Sequence, residues 1–296
     1  MSDRLHSRIA RAALVAASAF FTILPAAAWA EAETAKPKER IVTLGFDVTE
    51  IVFALGVGDR VVGVDASAMY PEEATRLPKV GYYRRIGAEG VLSLRPTLVV
   101  ASALSGPPAA LDQLRSAGVR IVTVDEVTVL DAARSRIRTI AEALGRVEAG
   151  KELLARLDAQ LDEAAAIGEK VKAKAPRVLF LFSPTPSVLN VAGKDTVAAR
   201  VIELAGGQLA VDAYEGYRPI STEALVAARP DVVLVTERTL ASLGGAEKVW
   251  EVPGLALTPA GRAKRMVVMD DALLLAMGPR TGQAVAQLAR ALLEAK

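Results

Sequence analysis

The stretch E89-G-V-L-S-L-R-P-T-L-V-V-A101 returns later in the chain as E223-A-L-V-A-A-R-P-D-V-V-L-V235. Each copy opens on a glutamate, reaches an Arg-Pro pair six residues on, and ends in a run of aliphatic side chains. Proline cannot continue a helix, so the first part of each copy reads as a short helix and the part after proline as a buried strand. The strand R40-I-V-T-L44 likewise has a counterpart in R177-V-L-F-L181. Two copies at an offset of roughly 135 residues predict two similar lobes.

Between the copies, D131-A-A-R-S-R-I-R-T-I-A-E-A-L144 reads as a helix ending at Gly145. V147-E-A-G-K-E-L-L-A-R-L-D-A-Q-L-D-E-A-A-A-I-G-E-K-V-K-A-K174 follows, with Leu154, Leu157 and Leu161 at helical spacing and no proline before Pro176. That pattern predicts one long amphipathic helix, a rod instead of a flexible tether. In the first half, R40-I-V-T-L44, R60-V-V-G-V-D65, the segment after Pro96 and the end of L111-D-Q-L-R-S-A-G-V-R-I-V-T-V124 read as strands separated by helical patterns. Strands rich in Val, Ile and Leu that alternate with helices predict an α/β fold with parallel sheets covered on both faces. The expected organisation is a signal segment at 1–30, an N-terminal lobe at 31–145, a connecting helix at 146–175 and a C-terminal lobe at 176–296. A ligand cleft is expected between the lobes.

The N-terminus carries Arg4, Arg8 and Arg11, then the apolar run A12-A-L-V-A-A-S-A-F-F-T-I-L24, then A26-A-A-W-A30. This is the order of a secretory signal peptide, with cleavage expected near Ala30 and the mature protein in the periplasm. The apolar run is short for a bilayer span. Removing residues 1–30 takes three of the 36 basic residues and one of the 34 acidic ones, leaving 33 of each. A mature chain with no net charge lacks the electrostatic footprint of a nucleic-acid-binding protein. The chain has no cysteine, and its single histidine, His6, leaves with the signal. Zinc sites, cysteine proteases, Ser-His-Asp hydrolases and histidine-ligated haem are thereby excluded from the mature protein. No cysteine stands at the signal junction to be acylated, so the mature protein is expected to be soluble in its compartment.

With those side chains gone, V80-G-Y-Y-R-R-I-G-A-E-G90 stands out for its adjacent phenols and adjacent guanidinium groups. Spacing alone leaves two readings open: a binding segment, or amphipathic surface tyrosines beside a solvated charge run. In an extended loop Tyr82 and Tyr83 would point opposite ways and would not share a role.

The chain resembles the periplasmic haem-binding proteins of bacterial haem ABC importers. The resemblance rests on R40-I-V-T-L-G-F-D-V-T-E-I-V-F-A-L-G56, Y70-P71, L77-P-K-V-G-Y-Y-R84, A88-E-G-V-L-S-L-R-P-T-L-V-V-A-S102, V191-A-G-K-D-T-V-A-A-R200 and Y217-R-P-I-S221. It implies a monomer that carries haem as transported ligand, not catalytic cofactor, and passes it to an inner-membrane ABC permease with its ATPase subunit. Ferric haem is a hard Lewis acid with two anionic propionates, and a phenolate is a hard axial ligand. A free tyrosine ionises near pH 10, so iron and neighbouring guanidinium groups are needed to favour its phenolate. Tyr82 or Tyr83 beside Arg84 and Arg85 offers that combination. The resemblance assigns the iron ligand to Tyr82, with Arg84 on the phenolate or a propionate and Tyr83 beside it. It also implies that Arg218 reaches the same pocket from the second lobe, and that Glu89 and Glu223 dock onto the permease, one per lobe. Both glutamates stand at expected helix starts, where a carboxylate also offsets the helix dipole. Some family members place a histidine after the first strand of the second lobe and hold a second haem; here the region reads L181-F-S-P-T-P-S187, which points to one haem. Cobalamin or a ferric siderophore on the same fold is the alternative cargo. An exported α/β enzyme is a weaker one, since L44-G-F-D-V-T-E50 after the first strand lacks the G-x-G-x-x-G of a nucleotide cradle.

Overall fold

The computed structural model describes residues 39–125, 130–185 and 188–295. The expected signal segment at 1–30 lies outside the described residues. Four strands form the first sheet: β1 (Ile41–Leu44), β2 (Val61–Val64), β3 (Leu98–Ser102) and β4 (Arg120–Val124). They run parallel in the order β2-β1-β3-β4, with Ile41 opposite Leu98 and Leu98 opposite Arg120. Helices cover both faces, so the strands are nearly continuous in aliphatic residues and Ile41, Val42, Leu98, Val99 and Val100 are wholly buried.

The second sheet contains β5 (Arg177–Thr185), β6 (Val188–Ala192), β7 (Gln208–Leu209), β8 (Tyr217–Arg218), β9 (Val232–Thr236) and β10 (Met266–Met269). Its main path is β10-β9-β5-β6-β8, with β7 paired to β5. Here the expectation of an all-parallel sheet is corrected. β5, β9 and β10 are parallel, but β6 runs antiparallel to β5 and β8 antiparallel to β6. The physical reason is the length of the connection: only residues 186 and 187 separate β5 from β6, and so short a link can join only antiparallel neighbours.

The repeat read in the sequence is a repeat of structure. β3 and β9 follow the two Arg-Pro pairs, and both arginines adopt the left-handed conformation, Arg95 at φ 48° and Arg229 at φ 46°. Ahead of them stand the helices Ala88–Leu92 and Thr222–Ala228, with Glu89 and Glu223 in their first turns. At the edge of β1, Arg40 donates through Nη2 to the Leu94 carbonyl at 2.8 Å; at the edge of β5, Arg177 donates through Nε to the Ala228 carbonyl at 2.9 Å. In each lobe an arginine at the start of the first strand therefore satisfies a carbonyl at the last residue of the corresponding helix (Ala228) or just past its end (Leu94).

Between the sheets lies the helix Val147–Lys172, 26 residues long, which buries Leu153, Leu157, Ala164, Gly168 and Val171. The final helix, Thr281–Glu294, packs along it, and Gly282 sits so close to Gln160 that a Cβ there would have no room. No helix among the described residues is long and apolar enough to cross a membrane.

Candidate functional site

The tyrosine segment is fixed from below by Asp65, a wholly buried carboxylate at the end of β2. Its Oδ1 accepts from the Gly45 amide at 2.9 Å, and its Oδ2 accepts from the Ser67 amide and hydroxyl at 2.9 and 2.7 Å and from the Tyr83 amide at 3.3 Å. One side chain thus ties the ends of β1 and β2 to the tyrosines. Gly81 takes φ 96°, a conformation that a side chain would strain, and its carbonyl accepts from the Ala66 amide at 2.7 Å.

The expectation that Tyr82 and Tyr83 diverge is corrected. The extended backbone ends at Tyr82, and Tyr83–Arg85 forms one turn of 3-10 helix, so alternation stops between the two residues. Their rings meet edge to face with centroids 4.7 Å apart. Tyr83 is buried at 7% exposure, whereas Tyr82 is 47% exposed. Arg84 Nε donates to the Tyr83 hydroxyl oxygen at 3.0 Å, and the Tyr83 side chain also hydrogen-bonds Tyr82. Burial pushes the Tyr83 phenol up, and the hydrogen bond from Arg84 pulls against that rise.

Both tyrosines face a cleft between the lobes. One part, of about 340 Å³, is lined by Tyr82, Tyr83, Ser67 and Met69 from the first lobe and by Phe182, Arg238 and Asp271 from the second. An adjoining part, of about 380 Å³, shares Phe46, Tyr83, Phe182 and Leu275 with it and adds Arg84, Arg136 and Tyr217. Spaces of this size with apolar walls and a few convergent polar groups are what ligand pockets require.

The second lobe contributes differently from the sequence expectation. Successive strand residues point to opposite faces, and in β8 it is Tyr217 that lines the cleft. Arg218 donates through Nε to the Glu215 carbonyl at 3.1 Å and lies 6.0 Å from the Tyr214 ring, outside the cleft lining. The second-lobe arginine at the cleft is Arg238, whose amide bonds Asp271 Oδ2 at 3.0 Å and whose Nη1 approaches Met69 Sδ at 4.0 Å across the opening. Sequence reasoning passed over it because E237-R-T-L240 carries no motif.

Tyr217 packs against Phe182, with centroids 5.2 Å apart. The residue is 37% exposed, but its phenol end is enclosed at the start of the helix Val197–Leu204, where Thr196 and the Ala198 backbone hydrogen-bond it. Burial of the phenol pushes its pKa up to about 12, against the pull of those hydrogen bonds. In the first-lobe wall of the same cleft part, Arg136 and Asp47 form a buried ion pair, and Arg136 Nε also donates to the Asp125 carbonyl at 3.1 Å. Among the described residues no group of three or more carboxylate or imidazole side chains could hold a bare metal ion.

Glu89 and Glu223 are exposed, away from the cleft lining. Glu223's own amide and the Ser221 hydroxyl hold its carboxyl below the usual carboxylate range.

Comparisons with known proteins agree with this architecture. The apo periplasmic heme-binding protein RhuT from Roseiflexus sp. RS-1 is 45% identical with a TM-score of 0.84, covering 87% of this chain and 99% of that one. The periplasmic heme-binding protein BhuT, solved with two hemes, is 42% identical with a TM-score of 0.80, covering 87% and 98%. By sequence, YvrC of Bacillus subtilis (strain 168), an uncharacterized ABC transporter substrate-binding lipoprotein, is 29% identical over 87% of this chain and 81% of that protein. The vitamin B12-binding protein of Vibrio campbellii is 28% identical over 74% of this chain and 78% of its own length. A family model for periplasmic binding proteins matches residues 41–273, from β1 of the first lobe to the cleft-lining segment after β10 of the second, and this chain belongs to that family.

Proposed function

We propose that this chain is exported to the periplasm, its signal cleaved near Ala30, where it captures one ferric haem between its lobes with the Tyr82 phenolate on the iron. The carrying observation is the Arg84–Tyr83–Tyr82 chain of hydrogen bonds at the cleft, which ends on a half-exposed phenol. The guanidinium bonded to the inner phenol and the edge-to-face contact between the two rings hold the outer phenol at the cleft, where its oxygen is placed to meet iron. Arg84 then acts on the ligand through Tyr83, and Tyr83 is a positioning residue for Tyr82. Arg238 offers the propionates a cation from the second lobe, a role for which Arg218 remains a candidate only through movement of β8. Phe182 and Tyr217 supply apolar surface for the porphyrin face. RhuT and BhuT, the two periplasmic heme-binding proteins compared above, support the cargo. BhuT holds two hemes; here the sole histidine is His6, and we assign one haem.

Delivery is to an inner-membrane ABC permease with a separate ATPase subunit. Glu89 and Glu223 suit docking because they are exposed at the same place on the repeated helix of each lobe. The chain acts as a monomer, and we assign no reaction to the cleft. Cobalamin is the second reading, favoured by the B12-binding relative, but it makes no demand for a phenolate.

Titrating the mature protein with haemin and with cobalamin, followed by visible absorption, tests the proposal. A saturable one-to-one haemin complex with a ferric tyrosinate spectrum is expected, lost in Tyr82→Ala and weakened but still present in Tyr83→Ala, which keeps the iron ligand and loses only its positioning neighbour. Saturable cobalamin binding without haemin binding would overturn the cargo and keep the fold-level reading.

A further inference from the structure

A second contact between the lobes lies away from the ligand groups. Glu50, on the helix Phe46–Ala54 of the first lobe, is 97% enclosed, its side chain only 3% exposed. It accepts two hydrogen bonds from Arg280 of the second lobe: Nε to Oε1 at 3.0 Å and Nη2 to Oε2 at 2.9 Å. The same guanidinium lies 3.5 Å from the centroid of the Tyr70 ring, which belongs to the first lobe. Arg280 is therefore gripped from two directions by one lobe while it forms the N-terminal cap of the other lobe's final helix.

The placement of this clasp gives it leverage on the cleft. The helix that carries Glu50 also gives Phe46 and Asp47 to the cleft wall, about one turn earlier. In the second lobe Leu275 and Ala276 line the cleft, and Arg280 follows a few residues on. On its other side the clasp borders a cavity of about 770 Å³ whose wall includes Leu153, Arg156 and Gln160 of the connecting helix. The clasp thus stands where the two lobes meet that helix. Its forked geometry fixes orientation as well as distance, because a two-pronged guanidinium-carboxylate pair tolerates little rotation.

We infer that Glu50, Arg280 and Tyr70 are positioning residues that set the angle between the lobes, so that the two halves of the cleft are held in register before any ligand arrives. The consequence for capture rests on the haem reading; the consequence for the angle does not. A protein that spends only a fraction of its time in the competent arrangement binds more weakly by that fraction. Loss of the clasp would therefore weaken haemin binding without removing any group that touches haemin.

The test exploits the absence of cysteine from the chain. Spin labels on Ala109→Cys and Ala263→Cys, exposed helical positions in the two lobes, report the interlobe distance by double electron-electron resonance in the ligand-free mature protein. The parent is expected to give one narrow distance distribution, Arg280→Ala and Glu50→Ala a broad one, and Tyr70→Phe, which keeps the ring, the parental one. Circular dichroism confirms folding; if Arg280→Ala does not fold, Arg280→Lys, which keeps the charge but not the fork, is read the same way. A folded variant as narrow as the parent would overturn the inference. In haemin titrations the broadened variants should bind about tenfold more weakly, as a competent fraction near one tenth requires. Unchanged affinity in a broadened variant would overturn the link to capture, whereas failure of the parent itself to bind haemin would overturn the cargo and leave the distance result standing.

Discussion

The two lobes solve the same backbone problem in the same way and then part company at the cleft. Both begin with a strand whose first arginine reaches the end of the Glu-containing helix, and both pass through a left-handed Arg-Pro turn into the next strand. The first lobe then lines the cleft from a loop, with Asp65 holding Tyr82 and Tyr83 above the ends of β1 and β2. The second lobe lines it from additional structure: β6 and β8 carry the sheet outward, Tyr217 lies on β8, and Phe182 lies on the part of β5 that pairs with β6. What repeats is the frame that satisfies backbone groups, and what differs is the chemistry shown to the ligand. That separation is how one fold serves many cargoes.

The comparison can be strained first at the core of the leading strands. Phe180 in β5 is wholly buried, and Thr43 fills the matching place in β1, where its hydroxyl bonds that of Thr49 at 2.7 Å. Phe180→Ala is expected to destabilise by about 3–5 kcal/mol, since it opens a cavity. Thr43→Val, which keeps the volume and leaves Thr49 its bond to the Gly45 carbonyl, should cost about 1 kcal/mol. Urea unfolding of the two variants measures both; equal losses would mean that the two first strands do not differ in this way.

The shared arginines give a smaller effect. Arg177 is partly buried and donates to the Ala228 and Ala210 carbonyls, each at 2.9 Å, whereas Arg40 is exposed beside Leu94 and Arg95. Arg177→Ala should lose about 2 kcal/mol and Arg40→Ala about 1 kcal/mol by the same measurement, because hydrogen bonds from charged groups are worth more where water is excluded. A reversed order would show that the matched contacts are not equivalent.

The alkaline range isolates Tyr217. Its phenol ionises near pH 10 when unfolded and is pushed up to about 12 in the fold. A raised folded pKa means that the unfolded chain gives up its proton first, so this stabilisation is complete below about pH 10 and is lost as pH rises toward 12. Tyr217→Phe should therefore lose less stability than the parent between those two values, as read by unfolding at fixed pH steps. Parallel curves for the two proteins would place the phenol in water.

How far the sequence showed all this follows the range of each interaction. The repeated Glu-to-Pro segments and the leucine spacing of Val147–Lys172 are local patterns, and the helices and strands they predict are present. The antiparallel β6 was not legible, because the residues after Leu181 are interrupted by Pro184 and Pro186 and do not alternate like a strand. Tyr82 and Tyr83 were legible as residue types, but their meeting depends on one 3-10 turn that extended-chain alternation does not anticipate. Arg238 and the Glu50–Arg280 clasp were invisible for a different reason. The clasp joins residues 230 positions apart, and nothing in either local segment marks the other as its partner.

The most direct test of the central claim is a haemin titration of Tyr82→Phe beside the parent, read by visible absorption. The substitution keeps the ring and its edge-to-face contact with Tyr83 and removes only the oxygen proposed to meet iron. A parent that saturates with a ferric tyrosinate spectrum, and a variant that loses both that spectrum and tight binding, is the predicted result. A variant that binds haemin as tightly as the parent, with the same spectrum, would contradict it.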